Sequence, residues 1–198
     1  GATILFNLSA SNDIIGKHEY RKELVSQQSA KCMSGYVYCS CGVGESTTDV
    51  VFGGHALIAE YGTILKESTR YETGSYFTVA EIDVERLVNY RIKNTTFMNY
   101  RTEKQFRNVE FVLMKVVTDK LERKINPHPF VPAHENTIDE RCREIFSIQT
   151  AGLRKRLEHT GLKRAVIGIS GGLDSTLALL VTISAFDSLG ISRANIRA

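Results

Sequence analysis

The tightest constraint on this chain is the run Arg164-Ala165-Val166-Ile167-Gly168-Ile169-Ser170-Gly171-Gly172-Leu173-Asp174-Ser175-Thr176. Residues 164–169 have the character of a short, buried strand, and residues 176–189 that of a strongly apolar helix. A glycine-rich turn joins them. Strand, turn and helix in this order open a parallel α/β unit. The junction is also where a phosphate meets free backbone N–H groups and the positive end of a helix dipole. Gly171 and Gly172 allow close approach and unusual φ, and Ser170 and Ser175 offer hydroxyl donors. Asp174 would repel bare phosphate, so its place here makes sense with a Mg²⁺ ion between the two. Turning and capping alone would explain two or three of these residues, but not the ordered Ser-Gly-Gly-x-Asp-Ser-Thr. The run is neither a Walker A loop nor a GxGxxG fingerprint.

Composition narrows the class. Across 198 residues, 42% are apolar and 24% charged, which is ordinary for a globular chain of one or two domains. The 25 basic and 22 acidic residues leave a net charge of +3, too balanced to imply nucleic acid as a partner. The apolar stretch 177–183 is interrupted by Thr182 and is far too short to span a bilayer, and no secretory signal pattern is present. Residues 1–8 lack an initiator Met and read as a strand already under way, while residues 191–198 read as a turn toward a further strand. The expectation is a segment of a longer polypeptide.

The four cysteines are Cys32, Cys39, Cys41 and Cys142. A lone Cys-x-Cys is a poor zinc signature. On an alternating strand over 36–41 both sulfurs would share one face, and two neighbouring buried thiols are expected. Such usage fits a reducing, cytoplasmic setting.

All three prolines, Pro127, Pro129 and Pro132, fall in one window. They fix φ and bias each preceding residue toward extended conformations, so a stiff linker is expected there. The domains read as 1–125, a linker 126–137, and 138–198. In the first, strands are expected at 2–8, 36–41 and 76–82, with helices at 18–33 and 84–90. Tyr20, Leu24, Ala30 and Met33 are inward candidates on the first helix. Residues 50–60 and 63–66 flank Tyr61-Gly62 as a hairpin, and the apolar run 111–117 is a further strand candidate. After the linker, residues 136–139 offer caps for a helix to His159, with Ile145, Ile148, Leu153 and Leu157 on its apolar side.

The Ser170–Ser175 pattern resembles the signature of the ATP pyrophosphatase (PP-loop) family, in which it holds the pyrophosphate of ATP. Upstream, Asn7-Leu8-Ser9-Ala10-Ser11, Ile15-Gly16-Lys17-His18-Glu19-Tyr20-Arg21, Tyr36-Val37-Tyr38 and Gly44-Glu45-Ser46-Thr47-Thr48-Asp49 resemble the later half of a nitrilase-type (carbon–nitrogen hydrolase) glutaminase domain. Together with the Pro-Phe-Val-Pro linker, these resemble the glutamine-dependent NAD synthetase family. The implied fold is α/β: the C-terminal part of a nitrilase-like sandwich, then the first part of a PP-loop (adenine nucleotide α-hydrolase-like) parallel-sheet domain.

The resemblance implies a ligase that amidates deamido-NAD to NAD with glutamine-derived ammonia, through an adenylated intermediate that releases AMP and pyrophosphate. Gly168, Ile169, Ser170, Gly171, Gly172, Leu173, Asp174 and Ser175 would hold ATP, with Asp174 on Mg²⁺. Ser11 and Lys17 would contact glutamine, and Glu45 would wall that site. ATP and Mg²⁺ enter as a substrate complex, with no tightly bound prosthetic group. The complete enzyme is expected to be a cytoplasmic homo-oligomer. Glutaminases of this type use a Cys followed by Glu, with a Glu base and a Lys. Here the cysteines precede Met, Ser, Gly and Arg, so no catalytic residue is assigned and the segment alone is expected to be inactive. Other PP-loop amidotransferases or tRNA-modifying enzymes share the loop pattern, and a non-catalytic oligomeric binding module is a third reading.

Overall fold

The computed structural model describes residues 1–45, 49–99, 103–113, 120–129, 131 and 135–198. The chain divides into two compact units, Gly1–Lys124 and Ile125–Ala198.

The first unit is built on a mixed sheet of four strands in the order β1 (Ile4–Ser9), β2 (Gly35–Ser40), β3 (Ala56–Glu60) and β4 (Thr63–Glu67). Strands β1 and β2 run parallel through the crossover helix α1 (Lys17–Lys31), and the two later pairings are antiparallel. Val25 of α1 packs on Tyr38, Leu57 and Ala59, with Tyr36 and Ile64 alongside. Burial of this kind contributes about 1.5–3 kcal/mol for each large apolar side chain.

The inward face of α1 is Arg21, Val25 and Ser29, spaced four residues apart as one helical stripe requires. Tyr20 and Leu24, expected inside, are exposed. Hydrophobicity misleads here because the two buried polar side chains have hydrogen-bond partners: Ser29 Oγ donates to the Ser34 carbonyl at 2.6 Å, and Arg21 Nη2 donates to Asp13 Oδ1 at 2.7 Å.

The hairpin forms around Tyr61-Gly62, but its first strand begins at Ala56 rather than at residue 50. Tyr61 and Gly62 both have positive φ, 44° and 88°, the pattern of a two-residue I′ turn whose twist matches the flanking strands. A Cβ on Gly62 would lie 3.1 Å from the Ala30 Cβ, so the turn also needs glycine for its approach to α1.

Residues 76–82 form no strand. Side chains tether this segment instead of ladder bonds: the Tyr76 hydroxyl donates to the Gly54 carbonyl, and Ile82 covers Gly35. Phe77 and Val79 are exposed. Helix α2 (Val84–Lys93) follows, with Asp83 Oδ1 accepting from Arg86 N at 2.9 Å, then a short helix α3 (Thr95–Asn99). Residues 111–113 lie in no regular element, and the rest of that strand candidate falls outside the described residues.

The expected pair of buried thiols is not formed. Cys39 is exposed and Cys41 half-buried. Cys39 sits on the sheet face away from α1, paired in register with exposed Leu8, and Cys41 lies beyond the end of β2.

The second unit contains α4 (Glu135–Thr160), β5 (Ala165–Val166), α5 (Leu173–Ser188), a 3₁₀ turn at Arg193–Asn195 and β6 (Ile196–Arg197). Strands β5 and β6 pair in parallel. Leu157, Ala185 and Phe186 form the core, with Leu153, Ala165, Leu189, Ile191 and Ile196 against it. Helix α4 begins before the proposed caps at 136–139, and Ile145 and Ile148 are exposed rather than part of its packed face. The strand expected at 164–169 is only two residues long, because ladder pairing extends only where β6 lies opposite. Helix α5 starts three residues earlier than expected. Pro127 and Pro129 lie outside helices and strands, and Phe130 and Pro132 fall outside the described residues. The architecture is α/β with a mixed sheet.

Candidate functional site

After β5, Ile167 N donates to the Arg197 carbonyl at 2.8 Å, and the chain then leaves the sheet for the turn. Gly171 has φ +81°, the left-handed conformation glycine tolerates best. Gly172 does not share it: its φ of −84° is one that any residue adopts. A Cβ at Gly168 or Gly171 would meet nothing within 4 Å, and one at Gly172 only Ser170 Oγ at 3.5 Å. The concave side of the turn is therefore open. Its hydroxyls bond one another: Ser175 Oγ accepts from Ser170 N at 3.3 Å and donates to the Gly172 carbonyl at 3.0 Å, and Ser170 Oγ accepts from Gly172 N at 3.4 Å.

Because α5 begins at Leu173, the N–H groups of Leu173, Asp174 and Ser175 have no partner within the helix. They are joined there by the positive end of the macrodipole. Asp174 is exposed and, among the described residues, forms no ion pair. Chemically, the turn presents N–H and O–H donors to an anion, with one carboxylate available for a cation beside it.

In the first unit, Ser11 and Lys17 flank the entry to α1. Ser11 Oγ accepts from Arg21 Nη2 at 3.3 Å, and its carbonyl accepts from the same nitrogen at 3.4 Å and from Ser40 Oγ at 3.3 Å. Lys17 Nζ donates to Asn12 Oδ1 at 2.8 Å and forms no ion pair among the described residues. Glu45 is exposed, in a turn where its N–H donates to the Gly42 carbonyl at 3.2 Å. Ser46, Thr47 and Thr48 fall outside the described residues.

Behind Ser11 lies a charged network. The Arg21 side chain is 4% exposed and pairs with Asp13 at 2.7 Å. Burial alone would raise the Asp13 carboxyl, but the hydrogen bond and charge of Arg21 more than offset this and hold it below the usual range. Arg21 Nη1 also donates to Nδ1 of fully buried His55 at 3.2 Å. With Nδ1 as acceptor, the proton of neutral His55 sits on Nε2 and is donated to Glu67 Oε1 at 3.1 Å. Burial pushes the His55 imidazole down, in keeping with the neutral form. Glu67 Oε1 also accepts from His18 Nε2 at 2.6 Å, and Glu67 Oε2 pairs with Lys22 at 2.7 Å.

His18, His55 and Glu67 bring their donor atoms within 4.8 Å of one another, and their types are those that bind zinc. The Arg21 contact decides against a cation cage. It leaves His55 Nε2 with a proton rather than a lone pair, so the three residues form a hydrogen-bonded network.

The NAD synthase family model matches residues 145–194, which include the whole glycine-rich turn. Over its full length the chain is 41% identical, across 204 aligned residues, to the glutamine-dependent NAD(+) synthetases of Mycobacterium leprae and Mycobacterium tuberculosis H37Rv. The chain is thus similar along its whole length to glutamine-dependent NAD(+) synthetases. It spans 30% of the length of these relatives. The glutamine-dependent NAD(+) synthetase of Thermotoga maritima is 25% identical over 191 residues, covering 93% of this chain and 30% of the relative. Two solved structures are also similar at 20% identity. One is the glutamine-dependent NAD(+) synthetase of Cytophaga hutchinsonii, with TM-score 0.35 over 95% of this chain and 23% of that one. The other is the Acinetobacter baumannii enzyme in complex with ADP, with TM-score 0.37 over 98% and 27%.

Sequence reasoning singled out Ser11 and Lys17 but missed Arg21, His55 and Glu67. Buried charged residues on a helix and two strand ends leave no local pattern. The available signal was an arginine at the position where an amphipathic helix should present an apolar side chain.

Glu67 gives this network a pH signature. Burial raises its carboxyl, yet hydrogen bonds from Lys22, His18 and His55 outweigh this and bring it from 4.5 to about 2. A carboxyl lowered by folding stabilises fully above its unfolded value and loses that contribution as pH falls through the folded one. We expect Glu67→Gln to destabilise the protein at neutral pH by about 1–3 kcal/mol. The gap from wild type should close between about pH 4.5 and about 2, as read by chemical denaturation across that range. A gap independent of pH would contradict the assignment.

Among the described residues, no helix is long and apolar enough to cross a membrane.

Proposed function

We propose that the chain is part of a glutamine-hydrolysing NAD(+) synthetase. Residues 1–125 would belong to a nitrilase-like glutaminase domain, 126–137 to a linker, and 138–198 to the opening of a PP-loop synthetase domain. The division of the chain between Lys124 and Ile125 supports that partition. The observation that carries the reading is 41% identity along the whole chain to enzymes of that name, spanning both the Ser11–Lys17 region and the glycine-rich turn.

The reaction converts deamido-NAD to NAD. A carboxylate resists attack by ammonia until one oxygen becomes a good leaving group, and transfer of AMP from ATP supplies one. The nicotinate carboxylate attacks the α-phosphorus of ATP, pyrophosphate leaves, and ammonia from glutamine then displaces AMP to form the amide. The role proposed for Gly168, Ile169, Ser170, Gly171, Gly172, Leu173, Asp174 and Ser175 is to bind the polyphosphate. Gly171 turns the backbone, the N–H groups of Leu173 to Ser175 and the two serine hydroxyls stabilise the charge growing on pyrophosphate, and Asp174 takes the Mg²⁺ of the substrate complex. Open space above the turn and an Asp174 carboxylate with no ion pair among the described residues fit such a complex.

In the first unit, Ser11 and Lys17 would receive glutamine, Lys17 offering its unneutralised charge to the substrate carboxylate as a point contact rather than a bidentate fork. None of Cys32, Cys39, Cys41 and Cys142 is followed by Glu, so the 198 residues by themselves are assigned no glutamine turnover. Cytoplasmic location and homo-oligomeric assembly complete the proposal.

The test is to supply the complete polypeptide with deamido-NAD, Mg-ATP and amide-¹⁵N glutamine. Labelled NAD should appear with one AMP and one pyrophosphate per amide formed. Release of ADP and phosphate, or an unlabelled amide, would overturn the proposal.

A further inference from the structure

Ser11 and Lys17 stand six residues apart, on a loop and on the first turn of a helix, and neither is fixed by its own backbone element. Both are held through the same neighbour. Asn12 accepts from Lys17 Nζ with its side-chain oxygen at 2.8 Å, and its carbonyl faces Arg21 Nη2 at 3.5 Å. That nitrogen also reaches Ser11 Oγ, the Ser11 carbonyl and Asp13 Oδ1. One buried guanidinium thus meets three consecutive residues of the loop.

Arg21 is itself held from behind. Asp13 neutralises it, and His55 accepts from Nη1, passing the constraint to Glu67, which is held in turn by His18 and Lys22. The planar fork explains why this position is arginine. A lysine could pair with Asp13 but could not also reach His55 and Ser11 from one rigid group. Orienting a recognition group in advance saves the ordering cost that a substrate would otherwise meet on binding.

We propose that Arg21 is a positioning residue for amino-acid recognition. Locked by Asp13 and His55, it sets the 11–13 loop so that the Ser11 hydroxyl and the Lys17 ammonium present one preformed surface to the polar head of glutamine. The inference rests on the assignment of Ser11 and Lys17 to the glutamine site.

The test uses the complete polypeptide, with amide formation measured once with glutamine and once with ammonia. Arg21→Lys keeps the charge opposite Asp13 and should fold; Arg21→Met removes it. Both should raise KM for glutamine by about tenfold or more, with kcat at saturating glutamine and ammonia-supported synthesis within about twofold. Ser11→Ala should raise KM as well, and combining it with Arg21→Lys should add little, because the two act through one contact.

Unchanged KM in Arg21→Lys while Ser11→Ala raises it would overturn the positioning role and leave the glutamine site standing. Unchanged KM in both Ser11→Ala and Lys17→Met would overturn the site itself. If Arg21→Met does not fold, Arg21→Lys alone decides, since a structural role would change both nitrogen sources together.

Discussion

Replacing Asp174 with alanine in the complete polypeptide should abolish amide formation, lowering it by about a thousandfold or more, while glutamine hydrolysis stays within about twofold. The size of the effect follows from where this carboxylate stands. It is the second residue of α5, exposed and without an ion pair among the described residues, beside N–H groups that suit an anion. A carboxylate there stabilises the helix dipole by only about 0.3–1 kcal/mol, so the variant should melt within a few degrees of wild type. Loss of activity without loss of fold is the signature of a metal-phosphate role. Asp174→Asn keeps the shape and removes the charge, and should be nearly as impaired if charge matters. Amide formation by Asp174→Ala at the wild-type rate would refute the polyphosphate assignment.

The largest stability effect is expected at Arg91 of α2. Its guanidinium donates to the carbonyls of Met33 at 3.0 Å, Gly1 at 2.9 Å, Ala2 at 2.7 Å and Cys32 at 2.9 Å. Two of these follow the last turn of α1, where carbonyls lack helical partners and a cation is favoured; the other two precede β1. Arg91 therefore ties the residues before β1 to the exit of α1. Arg91 is 8% exposed, so carbonyls stripped of it would be left short of donors in a site poor in water. Burial lowers its pKa, but the group remains charged at any ordinary pH. Arg91→Met retains the apolar stem and should cost about 3–5 kcal/mol, read as loss of the first unit's denaturation midpoint. A loss below about 1 kcal/mol would mean that water replaces these bonds.

Local chemistry made much of this protein readable. The strand–turn–helix around Gly168–Ser175 was legible because each step has a local cause, and so was the Tyr61-Gly62 hairpin, whose turn needs two residues with positive φ. Helices α1, α2 and α5 were legible from periodicity, though the facing of α1 was not. Reading Tyr20 and Leu24 as inward assumed that apolar side chains win the core. In fact a bonded arginine and serine took those places, a choice set by partners far along the chain.

Similarly, residues 76–82 were expected to form a strand, yet among the described residues their backbone pairs with no strand, and side chains such as Tyr76 tether the segment instead. The two sulfurs of Cys39 and Cys41 would share a face only if β2 continued to Cys41; it ends at Ser40, and Cys39 lies on the side that α1 does not cover.

The sequence by itself determined the glycine-rich turn at the start of α5, because glycine, hydroxyls and a helix start create such a turn without help from distant residues. Tertiary structure alone decided how the Ser11–Lys17 loop is held. That arrangement exists only where α1, the start of β3 and the end of β4 meet, since an arginine, a histidine and a glutamate separated by up to 46 positions become one hydrogen-bonded network only after the sheet has formed.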